Sequence, residues 1–198
     1  MKRIVIAGGI GAGKSAICDR LRTLGYTVID ADDVAHDVTA KGSPALAALV
    51  DAFGRAVLAD DGTLDRAFMA EIVFNDRSAL RRLNRITHEK IGVEIVRQLD
   101  GATGDAVFVA VPLFRPEHRV AFTLDEVWSV QVDPETAVKR LVERRGFKED
   151  DARARLANQI SNDERERIVD RVLWNEGTLE QLFAQLDAAL ELVGLAHG

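Results

Sequence analysis

Gly8-Gly-Ile-Gly-Ala-Gly-Lys-Ser15 follows directly on the apolar run Ile4-Val-Ile-Ala7 and fits the pattern G-x-x-x-x-G-K-[ST]. A phosphate chain needs close backbone approach and several converging N–H donors, and glycine permits both because it carries no Cβ. Lys14 adds a point charge for the outer phosphates, and Ser15 adds a hydroxyl for Mg²⁺. Gly9, Gly11, Ala12, Gly13, Lys14, Ser15 and Ala16 are therefore expected to hold a nucleotide phosphate chain, with Ser15 as the metal contact. The context that the motif requires is present. A β-branched run precedes it, and from Ala16 to Leu24 the apolar Ile17, Leu21 and Leu24 share one helical face. The bland rival is an ordinary glycine-rich connection between a strand and a helix.

Further along, apolar strand-like runs alternate with helical patterns. The candidate strands are Arg3–Ala7, Thr27–Asp30, Ala106–Pro112, Glu126–Val132 and Arg171–Trp174. Several are too continuously apolar for a half-exposed antiparallel strand and suit a buried parallel sheet. Asp133 followed by Pro134 reads as an N-cap and first helical residue, opening a helix to about Arg145. Leu179, Leu182, Phe183, Leu186, Leu190 and Val193 mark a final amphipathic helix. The order predicts an α/β fold with a doubly wound parallel sheet of about five strands, a phosphate-loop nucleotide-binding architecture with ligands beyond the carboxyl ends of the strands.

Two excursions interrupt that core. A long helical block with a turn at Gly62 occupies about 42–99, and a basic stretch lies at 144–167. One domain is expected, with 1–41 and 100–198 as the nucleotide-binding core, 42–99 as a helical insertion and 144–167 as a lid. No repeat, low-complexity tract or proline-rich linker divides the chain.

With 198 residues, 47% of them hydrophobic, the chain can bury one sizeable core. No stretch approaches the roughly 20 apolar residues of a membrane span. The apolar run behind basic Met1-Lys-Arg3 is too short for a signal peptide. The single cysteine, Cys18, lies on the first predicted helix and reads as a small core residue, which fits a reducing cytoplasm. A net charge of −6 argues against broad attraction to nucleic acid. The segment from Lys139 to Arg167 departs from this balance at +2, leaving −8 for the remainder. Most of those charges read as a solvated, salt-bridged helical pair.

The second constellation is Val28-Ile-Asp-Ala-Asp32, an apolar strand that runs into two carboxylates. Phosphoryl transfer uses a carboxylate to accept the acceptor's hydroxyl proton and to help organise Mg²⁺. A helix N-cap at Asp30 or Asp32 is the competing reading, and the two are compatible. No N/T-K-x-D base-recognition element occurs, and the third strand ends in Pro112 without a Walker B aspartate. Both absences favour a small-molecule kinase over a GTPase or an ATPase.

The chain resembles the bacterial dephospho-coenzyme A kinases across nearly its whole length. The matching stretches are Gly8–Ser15, Val28–Asp32, Phe53-Gly54, Asp61-Gly-Thr-Leu-Asp-Arg66, Ile72–Phe74, His88, Pro112-Leu113, Asp133-Pro-Glu-Thr136 with Lys139-Arg140, Arg144, Gln159, Asp170, and Asn175 with Gly177. The resemblance implies transfer of the γ-phosphate of ATP to the ribose 3′-hydroxyl of dephospho-CoA, with Mg²⁺. It implies Asp32 as base and Lys14 on the phosphates, while Arg140 and Arg144 neutralise charge from the lid side. Asn175 and Gly177 would sit by the adenine. The 42–99 block would bind the acceptor, with Arg66 and His88 at its cleft and Pro112, Leu113 and Glu117 also on the acceptor side. It implies no nucleic-acid, membrane or obligate protein partner.

Several positions depart from the family pattern. His36 stands where the family usually has Arg, Glu89 stands for Pro, and Val169 stands for Ala. Pro112-Leu-Phe-Arg-Pro-Glu117 carries one inserted residue, and Ala7 and Ala16 replace the usual hydroxyl residues. Most of these changes fall on the acceptor side. Two other readings therefore stay open: a paralogous kinase for another nucleoside, nucleotide or small alcohol, and a nucleotide-binding regulatory module without catalysis.

Overall fold

The structure is a computed structural model that describes residues 1–195. In chain order the elements are β1 (Lys2–Gly8), α1 (Lys14–Thr23), β2 (Thr27–Asp30), α2 (Ala31–Val38), α3 (Pro44–Phe53), α4 (Arg66–Asn75), α5 (Arg77–Gly101), β3 (Ala106–Val111) and α6 (Pro116–Ala121). They continue with β4 (Glu126–Gln131), α7 (Pro134–Arg145), α8 (Glu149–Ala157), α9 (Asn162–Glu166), β5 (Arg171–Trp174) and α10 (Leu179–Leu192). The chain forms two compact units, residues 1–30 with the chain from Gly101 onward, and Ala31–Asp100. The expected insertion at 42–99 lies inside the second unit, which also takes in α2. The last three residues of the expected 100–198 core segment lie outside the described residues.

In the first unit the five strands pair in parallel in the order β2-β3-β1-β4-β5. The phosphate loop leaves the middle strand, which aligns Ile4 with Phe108 on one side and with Glu126 on the other. All six residues of β3, Ala-Val-Phe-Val-Ala-Val, are buried, as a parallel strand covered on both faces requires. On one face Ile4, Ile6, Phe108, Trp128 and Leu173 pack with Ile17 and Leu21 of α1 and with Leu182, Leu186 and Leu190 of α10. Phe108 anchors this layer edge-on to both Tyr26 and Trp128, with ring centroids 5.2 and 5.9 Å apart. Each large side chain buried there contributes about 1.5–3 kcal/mol, so the sheet is a rigid base for the loop.

Local signals place the remaining elements of this unit. Asp133 caps α7 by accepting from the Glu135 and Thr136 amides, Pro134 takes the first turn, and Gly146 ends the helix at φ 68°. Arg115 and Pro116, which break the family pattern, prove to be the N-cap and first-turn residues of α6.

The second unit is helical. Ser43 caps α3 with Pro44 behind it, Asp65 caps α4, and α5 runs for 25 residues. A 3₁₀ turn at Arg55–Val57 follows α3. The expected turn at Gly62, φ 81°, lets Leu58 and Leu64 bridge antiparallel, with Asp61 accepting from the amide and hydroxyl of Thr63.

Candidate active site

The loop between β1 and α1 owes its shape to glycine at the positions the motif demands. Gly11 and Gly13 have φ 76° and 99°, where an L side chain is strained. A Cβ on Gly8 would lie 2.8 Å from the Val130 carbonyl, and one on Gly13 would strike Asn175. Gly13 occupies the N-cap of α1 without a side-chain cap, so the first amides of that helix face outward as an anion site. Lys14 and Ser15 open the helix, and their side chains form no hydrogen bond or ion pair among the described residues. Ala16 donates its amide back to the Gly13 carbonyl at 3.0 Å.

Two distant side chains hold the loop from outside. Asn175, 5% exposed just past β5, donates Nδ2 to the Ala12 carbonyl at 2.7 Å. Gln159, between α8 and α9, accepts the Ile10 amide at 3.0 Å through Oε1. A Cβ on Gly9 would lie 3.1 Å from that oxygen and 3.5 Å from Arg165. Ala12, Gly9 and Ile10 thus sit between two clamps, a buried one at Asn175 and a half-buried one at Gln159.

Three arginines surround this loop region with different surroundings. Arg140 on α7 donates Nη2 to the Asn175 carbonyl at 2.8 Å, while its buried Nη1 has no partner. Burial, and then the neighbouring Arg144 charge, lower its pKa. Arg144 lies exposed in the last turn of α7. Arg165 is 7% exposed and spends its two terminal nitrogens on Asn162 Oδ1 and the Ile160 carbonyl, both at 3.0 Å; burial lowers its pKa. A cavity of about 410 Å³ adjoins it, lined by Gly9, Ile10, Ala12, Val132, Pro134, Leu156, Gln159, Ile160 and Arg165 among others. It brings loop backbone, apolar wall and buried cation together, an arrangement suited to a charged group with a partly apolar ligand body.

The expected carboxylate pair straddles an element boundary. Asp30 ends β2 in the first unit; Asp32 is an exposed first-turn residue of α2 in the second, so the strand does not reach it. A carboxylate in that turn also favours the positive end of the helix. Gly177 is exposed before the Thr178 cap of α10, where any Cβ would strike Gln181 of the capping box. Pro112 and Leu113 form the turn after β3, and Glu117 is exposed in the first turn of α6.

In the second unit Arg66 bonds to His36 and Thr39 at one edge of a cavity of about 260 Å³. His88 does not line that cavity. It lies exposed in the middle of α5, because its neighbour Thr87, 8% exposed, takes the inward position about 100° round the helix. Among the described residues no cluster of three His, Cys, Asp or Glu side chains could hold a metal.

Sequence reasoning missed Arg165 and the clamping role of Gln159. Arg165 stood among charges read as solvated. The nearby Ser161-x-x-Glu164 capping box was the available sign that a helix starts there, and its turn carries Arg165 inward.

Residues 3–181 match the family model described as dephospho-CoA kinase. A dephospho-CoA kinase of Corynebacterium glutamicum is 45% identical over 188 residues, covering 93% of this chain and 94% of that protein. One from Streptomyces avermitilis is 43% identical, covering 100% and 97%. Among solved structures, the dephospho-CoA kinase from Campylobacter jejuni superposes with a TM-score of 0.73 at 27% identity, covering 98% of each chain. A shikimate kinase from Bacteroides thetaiotaomicron, 17% identical with a TM-score of 0.54 and 98% and 99% coverage, shares the fold.

Proposed function

The chain belongs to the dephospho-CoA kinase family, and from that premise we propose how its own residues divide the work. The reaction is phosphorylation of dephospho-CoA to coenzyme A. ATP gives up its γ-phosphoryl group, the acceptor's 3′-oxygen forms the new P–O bond, and ADP leaves. The carrying observation is the phosphate loop, with outward amides at α1 and Lys14 beside them, braced at Ala12 and Ile10 by Asn175 and Gln159.

Lys14 follows the transferring group and offsets its charge. Arg140, with an unpartnered buried Nη1, and Arg144 add positive charge on the same side of the chemistry. Asp32 accepts the proton of the 3′-hydroxyl. Asn175 and Gly177 stand by the adenine, and Gly9 to Ala16 hold the phosphates. Arg66, His88, Pro112, Leu113 and Glu117 serve the acceptor.

Ser15 would hold Mg²⁺, which would supply positive charge that screens the phosphates. Among the described residues no helix is long and apolar enough to cross a membrane. A cytoplasmic site of action fits the buried, unpaired Cys18. The net charge of −6 offers nucleic acid no broad attraction.

A coupled ADP-release assay with dephospho-CoA, adenosine, AMP and no acceptor tests this reading. Dephospho-CoA should exceed adenosine in kcat/KM by about 10³ or more, a gap beyond one lost contact. Adenosine or AMP matching it would transfer the chain to the paralogue reading. Bound ATP without turnover on any acceptor would leave the regulatory module.

A further inference from the structure

Strand β5 is the last in the sheet, so one of its edges meets no other strand. Alternate residues of such a strand offer their backbone groups to opposite edges. The Asn175 amide reaches the Gln131 carbonyl on β4 at 2.8 Å, which turns the N–H and C=O of Trp174 toward the free edge. A single side chain takes both. Gln185, half-buried on α10, accepts the Trp174 amide through Oε1 at 2.9 Å and returns Nε2 to the Trp174 carbonyl at 2.8 Å.

The same nitrogen also donates to the Gln181 carbonyl at 3.3 Å. Gln181 in turn closes the capping box of α10, its Oε1 accepting the Thr178 amide at 3.0 Å. One carboxamide therefore joins both ends of the turn from Trp174 to Gln181. That turn carries Gly177 and Asn175, and Asn175 holds the Ala12 carbonyl of the phosphate loop and receives Arg140. Gln185 makes no other hydrogen bond among the described residues, so any effect it has on the loop passes through Trp174 and Asn175.

The energetics point to position rather than stability. Trp174 is 38% exposed at the edge, so water is the alternative partner for its backbone groups. Neutral hydrogen bonds exchanged with water return little, and fixing a glutamine side chain costs much of its rotamer freedom. The helix beneath is firm, because Leu182 and Leu186 on either side of Gln185 are fully buried in the core with Leu173 of β5.

Resting on the reading of Asn175 and Gly177 as nucleotide-side residues, we propose that Gln185 is a positioning residue for ATP binding, which closes the 174–181 turn and so aims Asn175 at the phosphate loop. The 2.7 Å bond from Asn175 to Ala12 tolerates little displacement of its donor. A loosened Trp174 is therefore felt at Ala12.

Titration of the full chain with ADP and with ATP, in the absence of any acceptor, tests this without turnover. Gln185→Ala should weaken both nucleotides about fivefold, the scale of one lost hydrogen bond, while the melting temperature without nucleotide moves by less than about 4 °C. In a double-mutant cycle Gln185→Ala should cost little more once Asn175→Ala is present, because both act through Asn175. Gln185→Glu keeps an acceptor for the Trp174 amide but sets a carboxylate against two carbonyls, so at pH 8 it should bind more weakly than Gln185→Ala. Protonation restores a donor at that place, and the two carbonyls favour the protonated form. Between pH 8 and pH 5.5 the deficit of Gln185→Glu relative to the original chain should close, whereas that of Gln185→Ala should not. The pH comparison sets one variant against itself and decides the matter even if Gln185→Ala melts early.

Unchanged affinity in Gln185→Ala, additive losses with Asn175→Ala, or a Gln185→Glu deficit that persists at pH 5.5 overturns the positioning role and leaves the kinase reading to the ADP-release assay. Failure of the original chain to bind ADP or ATP overturns both. Nucleotide binding that obeys the cycle alongside failed turnover of dephospho-CoA overturns the kinase reading and not the role of Gln185.

Discussion

The Asn175 side chain donates to the Ala12 carbonyl at 2.7 Å from 163 residues further along the chain. Its own backbone carbonyl receives Arg140 at 2.8 Å, so one residue ties the phosphate loop to α7. Asn175→Ala should leave the Ala12 carbonyl without its partner, at about 1–3 kcal/mol. The melting temperature should fall by roughly 2–4 °C per kcal/mol for a chain of this size, and the KM for ATP should rise about tenfold or more. Asn175→Asp, which sets a carboxylate against a carbonyl, should be worse than Ala. Thermal melts with and without ATP decide this, and an Asp variant as good as Asn would show that the bond does not shape the loop.

Lys14→Ala removes the charge that follows the transferring phosphoryl group. Turnover should drop by about 10³ on the scale of electrostatic transition-state contributions. Near-normal turnover on dephospho-CoA would exclude this mechanism.

Asp32→Asn keeps the shape of the side chain and loses its ability to take a proton. Turnover should fall by roughly 10²–10⁴ with ATP affinity little changed, whereas Asp30→Asn at the end of β2 should cost less. Pre-steady-state phosphoryl transfer separates the two. Equal losses would remove the reason for assigning the base to Asp32.

Gly9 and Gln159 should be coupled. A Cβ at residue 9 would sit 3.1 Å from Gln159 Oε1, the atom that accepts the Ile10 amide. Gly9→Ala and Gln159→Ala should each weaken ATP binding several-fold, and the double variant should lose little more than one of them. Additive losses in a double-mutant cycle would mean that the glycine serves something other than this approach.

Burial pushes the Cys18 thiol up to about 11, against the lowering charges of Lys14 and Arg22. The native thiol therefore stays protonated at pH 8 and should react with iodoacetamide far more slowly than in 6 M guanidinium, about as slowly as the chain opens. The unfolded thiol ionises from about pH 8.5. Its burial thus stabilises the fold fully below that pH, and the contribution is lost as the pH rises towards 11. Alkaline unfolding should be less steep in Cys18→Ala over that window, and fast labelling of native protein at pH 8 would contradict the burial.

The sheet was readable because apolar content and punctuation agree along the chain. Thr27–Asp30 and Arg171–Trp174 form as expected, the first strand is one residue longer at each end, and the third and fourth are one residue shorter at the carboxyl end, where pairing partners set the limit. α7 likewise runs from Pro134 to Arg145 as its Asp-Pro start and Gly146 stop require. Asp32 was harder, since a carboxylate two residues beyond a strand looks the same in sequence whether the strand continues or a helix begins.

His88 and Thr87 differ by one position on a long helix whose polar and apolar residues mix, so the inward face was not legible. Arg165 was illegible for another reason. An arginine becomes a buried brace when tertiary neighbours such as the Ile160 carbonyl and Asn162 satisfy it, and composition carries no trace of that.

The two clamps also set the order in which this protein can become competent. Gln159 and Asn175 reach back 149 and 163 residues to a loop that is among the first segments made. Contacts so remote in sequence close late, after the chain entropy between them has been lost. During synthesis the glycine loop therefore exists as a flexible connection until β5 has joined β4, and nucleotide affinity arrives as one of the last properties of the folding chain. ATP added to a refolding mixture consequently selects molecules whose sheet is already complete at its far edge.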